Sequence, residues 1–193
     1  MNGVVEFQNL RAMKTISIAL QLALLLFVRC SLAADDDPRQ IAGYGKAVWG
    51  MSEDEVLAAE APRAERLENP STMVNGDIVS IVLKGVETEG IQFSVYFIFD
   101  SQNRKLINVS LQSAADIGAS VGNTLARIEK LLTEKYGQPD EKNGENLLWK
   151  LPKTTIELIG VDLNLPIVST NPIRMILISY RAAQLAADEF KNR

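Results

Sequence analysis

Ile91, Phe93, Val95, Phe97 and Phe99 alternate with Gln92, Ser94 and Tyr96 in the clearest period-two run of the chain. Successive strand residues face opposite ways, so this run makes one face of a sheet apolar and commits the chain to covering it. The flanking segments behave similarly. Val79, Ile81 and Leu83 share a face over 77–84, and Ile107, Val109 and Leu111 share one over 106–111. Glu89-Gly90 and Asp100-Ser101-Gln102-Asn103 are turn sequences, and short connections of this kind make antiparallel neighbours.

Two helices are available to cover that face. Ser52 with Glu55 three places on is a capping box, and Met51 and Val56 flank it as a hydrophobic staple. Glu53 and Asp54 suit the positive end of the helix dipole. Pro62 and Asn69-Pro70 bound this segment. A second helix is expected over 120–136, with Val121, Leu125, Ile128, Leu132 and Tyr136 in one stripe; Gly137 and Pro139 end it. Strand patterns return at 147–151, 154–159 and 174–180, and a short helix-forming tail covers 182–190.

The element order is therefore helix, three strands, helix, three strands. The expected fold class is α+β: tandem α-β-β-β units forming an antiparallel sheet with helices packed on one face. The expected division is a first unit over 44–118 and a second over 119–193, preceded by a flexible acidic segment over 34–43. Residues 1–33 read as a signal peptide, with Met13 a possible true start. Arg11 and Lys14 supply its basic region, 16–28 its apolar run, and Ser31 and Ala33 its small-residue exit. The apolar run is short of the roughly 20 residues of a membrane-spanning helix, so no stable anchor is expected after cleavage. Export places the protein in the periplasm.

Cleavage there leaves a chain without histidine or cysteine, because His is absent throughout and Cys30 is the single cysteine. No disulfide then supports the fold in an oxidising compartment. The whole chain carries a net charge of −4; removing 1–33 takes away Arg11, Lys14, Arg29 and Glu6 and leaves −6. Charges are interspersed and no basic stripe is present, which argues against nucleic-acid binding.

The opening Trp49-Gly50-Met51-Ser52, with Glu55 and Val56, and the ending Lys135-Tyr136-Gly137-x-Pro139 resemble small bacterial envelope proteins. With the three-strand units they are similar to the fold of BamE (SmpA-type) lipoproteins and of the beta-lactamase inhibitor protein. That resemblance implies action by binding other proteins through loops and sheet surface, with no catalytic residues. The chain departs from the BamE pattern at Cys30, where Arg29 stands in place of the small residue of a lipobox.

Candidate sites are few. Asp35-Asp36-Asp37 lacks the glycine and terminal glutamate of a calcium loop and reads as a solvated tail. Asp100 to Asn103 reads as a hairpin turn. Glu53, Asp54 and Glu55, or Glu87 and Glu89, could act as paired carboxylates, but capping and turn positions account for them. No Ser-x-x-Lys or Gly-x-Ser-x-Gly follows residue 33. Trp149 shares a strand face with Leu147 and Leu151 and is expected in the core, while Trp49 is either an anchor for a partner or a packed residue. The segment 161–173 carries Leu163, Leu165, Ile167 and Val168 between two strands. A connection this long and apolar covers a core or meets a partner.

The expected function is a non-enzymatic, exported protein-binding or adaptor module. Its candidate surface is Trp49, Leu163, Leu165, Ile167 and Val168, its partner another envelope protein, and no cofactor or metal is called for. Alternatives are a carrier of a small apolar ligand held between helix and sheet, and a histidine-free carboxylate hydrolase.

Overall fold

A computed structural model describes residues 37–113, 121–163 and 173–183. Residues from Pro38 onward form one compact unit. Its elements are a 3-10 turn (Pro38–Gln40), β1 (Gly43–Tyr44), β2 (Ala47–Val48), α1 (Glu53–Glu60), β3 (Ala64–Thr72), β4 (Ile78–Thr88), β5 (Ile91–Phe99), β6 (Leu106–Ser113), α2 (Val121–Tyr136), β7 (Glu141–Asn143), β8 (Asn146–Lys150), β9 (Thr154–Leu163) and β10 (Ile173–Ala182).

The expected tandem α-β-β-β fold is not what forms. The molecule is mostly β, with an eight-stranded antiparallel sheet in the order β3-β4-β5-β6-β10-β9-β8-β7 and a separate two-stranded sheet, β1-β2. Besides β1 and β2, two strands of the large sheet lie outside the three-strand pattern. β3 runs through Asn69-Pro70, because an edge strand needs hydrogen bonds on one side only and tolerates proline there. Its register with β4 shifts between Arg66 and Ser71 to accommodate this. β7 is three exposed polar residues paired to β8 and has no apolar alternation to announce it. The β6–β10 pairing, Val109 opposite Tyr180 among others, joins the two halves of the chain in one sheet.

The local chemistry explains the elements. Ser52 Oγ accepts from the Glu55 amide and Glu55 Oε2 accepts from the Ser52 amide at 2.7 Å, which closes the capping box of α1. The apolar stripe of α2 is buried at Val121, Leu125, Ile128, Leu132 and Tyr136, and the Gly137 amide closes the last turn on Thr133 O at 2.9 Å. Glu89 and Gly90, with φ of 54° and 73°, form the two-residue turn between Thr88 and Ile91. Two consecutive left-handed residues match the twist of a hairpin, and glycine adopts that region without cost. β9 and β10 extend past the expected strand ends to pair Leu163 with Ile173.

One core serves the whole unit. Val56 of α1 and Leu125, Ile128 and Leu132 of α2 join Phe93, Val95, Phe97, Leu158 and Ile176 of the large sheet in a single cluster. α2 lies close against β9: a Cβ on Gly160 would stand 3.2 Å from Val121 Cγ1 and 3.4 Å from Leu125 Cδ2. Among the described residues no helix is long and apolar enough to cross a membrane.

Candidate functional site

The segment 38–51 lies along one end of the large sheet and is tied at several points. Arg39 Nη1 donates to Tyr136 O at 3.0 Å, the Trp49 amide donates to Ala42 O at 2.8 Å, and Thr154 Oγ1 donates to Ile41 O at 2.7 Å. Trp49 is half-buried, and its indole Nε1 donates to the same Thr154 hydroxyl at 2.9 Å. Trp149 is fully buried, and its Nε1 donates to Gly137 O at 2.8 Å. Of the other residues singled out in the sequence, Leu163 ends β9 opposite Ile173. Leu165, Ile167 and Val168 lie outside the described residues, as do the signal segment and most of the C-terminal tail.

A pocket partly open to solvent forms where that segment meets α2 and β10. It measures about 340 Å³ and is lined by Ile41, Tyr44, Ala47, Val48, Tyr136 and Tyr180, among others. The rings of Tyr44 and Tyr180 meet edge-on, with centroids 5.2 Å apart and planes at 60°. Lys135 places its Nζ 5.1 Å from the Tyr136 ring centroid. Burial pushes the Tyr180 phenol well above its usual range, and a hydrogen bond with Tyr136 adds to this. Tyr44 is raised too, by burial first and then by the charge of Glu60.

Glu60 braces the β1–β2 turn, whose residues Gly45 and Ala47 line this pocket. Its carboxylate is buried and accepts from the Lys46 amide at 2.6 Å and the Ala47 amide at 3.3 Å, with Arg63 Nη2 3.4 Å away. It therefore holds the β1–β2 turn. The other acidic candidates also have structural partners. Glu53 takes Arg66 at 2.5 Å and also Arg104, and Asp54 takes Arg66 at 2.5 Å. Glu87 accepts from Gln92, and Glu89 pairs with Arg127 at 3.1 Å. Asp100 Oδ1 accepts from the Gln102 and Asn103 amides at 2.9 Å each, as its turn position demands.

A second feature lies at the tip of the β3–β4 hairpin. Met73 is exposed and Val74 fully exposed. The tip is nonetheless ordered: the Met73 amide donates to Asp77 O at 2.8 Å and the Gly76 amide to Met73 O at 2.9 Å. Asn75 adds two side-chain bonds with Asp77, at 2.7 and 3.2 Å. Turn chemistry asks for Pro, Asp or Ser after the first residue of such a turn, and a β-branched apolar residue there does nothing for the turn itself. The Asn75-Gly76 pair is the sequence signal that marks this hairpin.

The edge of β3 beside the tip is poorly suited to adding another strand. Pro70 has no amide to offer, the register is broken, and Glu65, Arg66 and Glu68 charge the strand. The tip, not the edge, is where an apolar surface is held out in fixed form.

Comparison with known proteins gives no relative to lean on: no family model, no curated protein and no solved structure matches this chain.

Proposed function

We propose that this protein is an exported, periplasmic module without catalytic activity, which binds another envelope protein through the Met73-Val74 hairpin tip. The observation that carries this reading is the ordered exposure of those two side chains. Single exposed apolar residues are ordinary on a soluble surface. An adjacent pair, held by four hydrogen bonds and ringed by Thr72, Asn75 and Asp77, has the form of a small apolar centre with a polar rim. Pre-ordering lowers the entropy lost on association, so even a small tip can contribute usefully to affinity. The export pattern of residues 1–33 supports the compartment and the class of partner.

The test is chemical crosslinking in intact cells, comparing the native chain with a Met73→Ser, Val74→Ser double variant. Both side chains are exposed, so the variant should keep the native midpoint of unfolding. The expected result is a discrete crosslinked species that the double variant loses. An undiminished species would contradict the assignment.

A further inference from the structure

The pocket between the β1–β2 hairpin, the end of α2 and β10 combines an apolar wall with a single charge. Its volume of about 340 Å³ falls at the low end of the roughly 300–1,000 Å³ range of small-molecule sites. Ile41, Tyr44, Val48, Tyr136 and Tyr180 line it, and Lys135 is the one charged residue of its lining among the described residues. We propose that it binds a small monocarboxylate with an apolar chain. The chain lies against the wall and the carboxylate meets the exposed Lys135 ammonium. This site is separate from the Met73-Val74 tip and stands or falls without it.

Three observations select that class. The first is the cation. Lys135 is exposed and makes no ion pair among the described residues. Its Nζ stands 5.1 Å from the ring centroid of Tyr136, a second lining residue, so the ammonium lies beside the pocket wall. The second is the state of the negative groups around it. No acidic residue lines the pocket among the described residues. Glu60, which braces the β1–β2 turn, already accepts from two backbone amides and lies 3.4 Å from Arg63. The carbonyls that end α2 are occupied too, Tyr136 O by Arg39 and Gly137 O by the Trp149 indole. The third is the opening. The pocket is partly open to solvent, and Val48 in its lining is 45% exposed. A ligand chain that covers Val48 removes apolar surface from water. Its carboxylate keeps part of its hydration there, so the charge escapes the full cost of desolvation.

The experiment follows backbone amide shifts of the full chain while hexanoate, hexanol, hexylamine and acetate are titrated separately. The first three share a chain and differ in the charge of the head; acetate has the head without the chain. The expected result with hexanoate is a saturable change confined to residues 41–48, 135, 136 and 180. Hexanol should bind about three- to fivefold more weakly, the scale of one exposed ion pair, and hexylamine more weakly still. Acetate should not saturate over the same range, because it buries little apolar surface. Lys135→Gln should bring hexanoate down to the affinity of hexanol and leave hexanol unchanged. Lys135→Glu should make hexylamine the tighter of the two charged probes. Retained hexanol binding shows that the cavity survives both substitutions. In the unaltered chain, added salt should weaken hexanoate toward hexanol. Three results would each overturn the proposal: no saturable change with hexanoate, hexanol or hexylamine binding as tightly as hexanoate, or a hexanoate affinity that Lys135→Gln leaves unchanged.

Discussion

Trp49 and Thr154 are joined by a hydrogen bond of 2.9 Å, although 105 residues separate them in the chain. Thr154 is fully buried at the start of β9, and its hydroxyl also donates to Ile41 O at 2.7 Å. One hydroxyl thus fastens two points of the 38–51 segment to the large sheet. Thr154→Val keeps the shape but leaves the Ile41 carbonyl and the Trp49 indole without this partner. The expected cost is about 1–3 kcal/mol. Trp49→Phe, which removes the donor and part of a ring packed against the core, should cost about 1–3 kcal/mol. Denaturant unfolding checks both, and equal, negligible losses would show that the segment is held by other contacts.

Gly45 and Glu60 are a second coupled pair. Gly45 has a φ of 60°, and a Cβ there would stand 2.4 Å from Glu60 Oε1. Gly45→Ala must therefore strain the turn or displace the carboxylate. A loss of about 1–3 kcal/mol is expected from the backbone alone. Glu60→Ala leaves the Lys46 and Ala47 amides unpaired at the same turn and should cost about 2 kcal/mol. The two sites are in contact, so their effects should not add in the double variant.

Alkaline pH should weaken the fold through the tyrosine cluster. Tyr180 and Tyr44 are both raised in the folded chain, chiefly by burial. An unfolded tyrosine loses its proton near pH 10, to an order of magnitude in proton activity. Above that pH the folded state holds more protons than the unfolded state, so stability falls as pH rises. Their contribution is full below about pH 10 and is lost as pH climbs through the raised folded values. Unfolding measured from about pH 8 to about pH 12 should show this slope, reduced in Tyr180→Phe and again on adding Tyr44→Phe. A slope unchanged by both substitutions would place its origin elsewhere.

Much of the fold is legible locally and some of it is not. The α2 stripe, the capping box at Ser52 and the alternation of β5 depend on neighbours a few residues away, so their periods expose them. β3 has no such period: it is an edge strand, mostly exposed, and Asn69-Pro70 interrupts it without ending it. β7 is too short and polar to stand out. Without these two strands the pattern reads as tandem three-strand units of one antiparallel sheet rather than as a sheet of eight strands. The tyrosine pocket was hidden for another reason. Tyr136 reads as one more position of a helical stripe, and nothing in the sequence brings it to Tyr44 and Tyr180, which meet only after the sheet has formed. Trp49 allows two readings from its neighbours alone, and its half-buried place just after β2 is fixed by Thr154, a partner far along the chain.

The central claim is that the Met73-Val74 tip meets a partner protein, and site-specific photocrosslinking tests it most directly. A photoreactive residue is placed at position 74, and separately at Lys142, an exposed position on β7 at the opposite edge of the sheet. Irradiation of intact cells should give one discrete adduct from position 74 and none from 142. No adduct at 74, or equal adducts from both positions, would contradict the account.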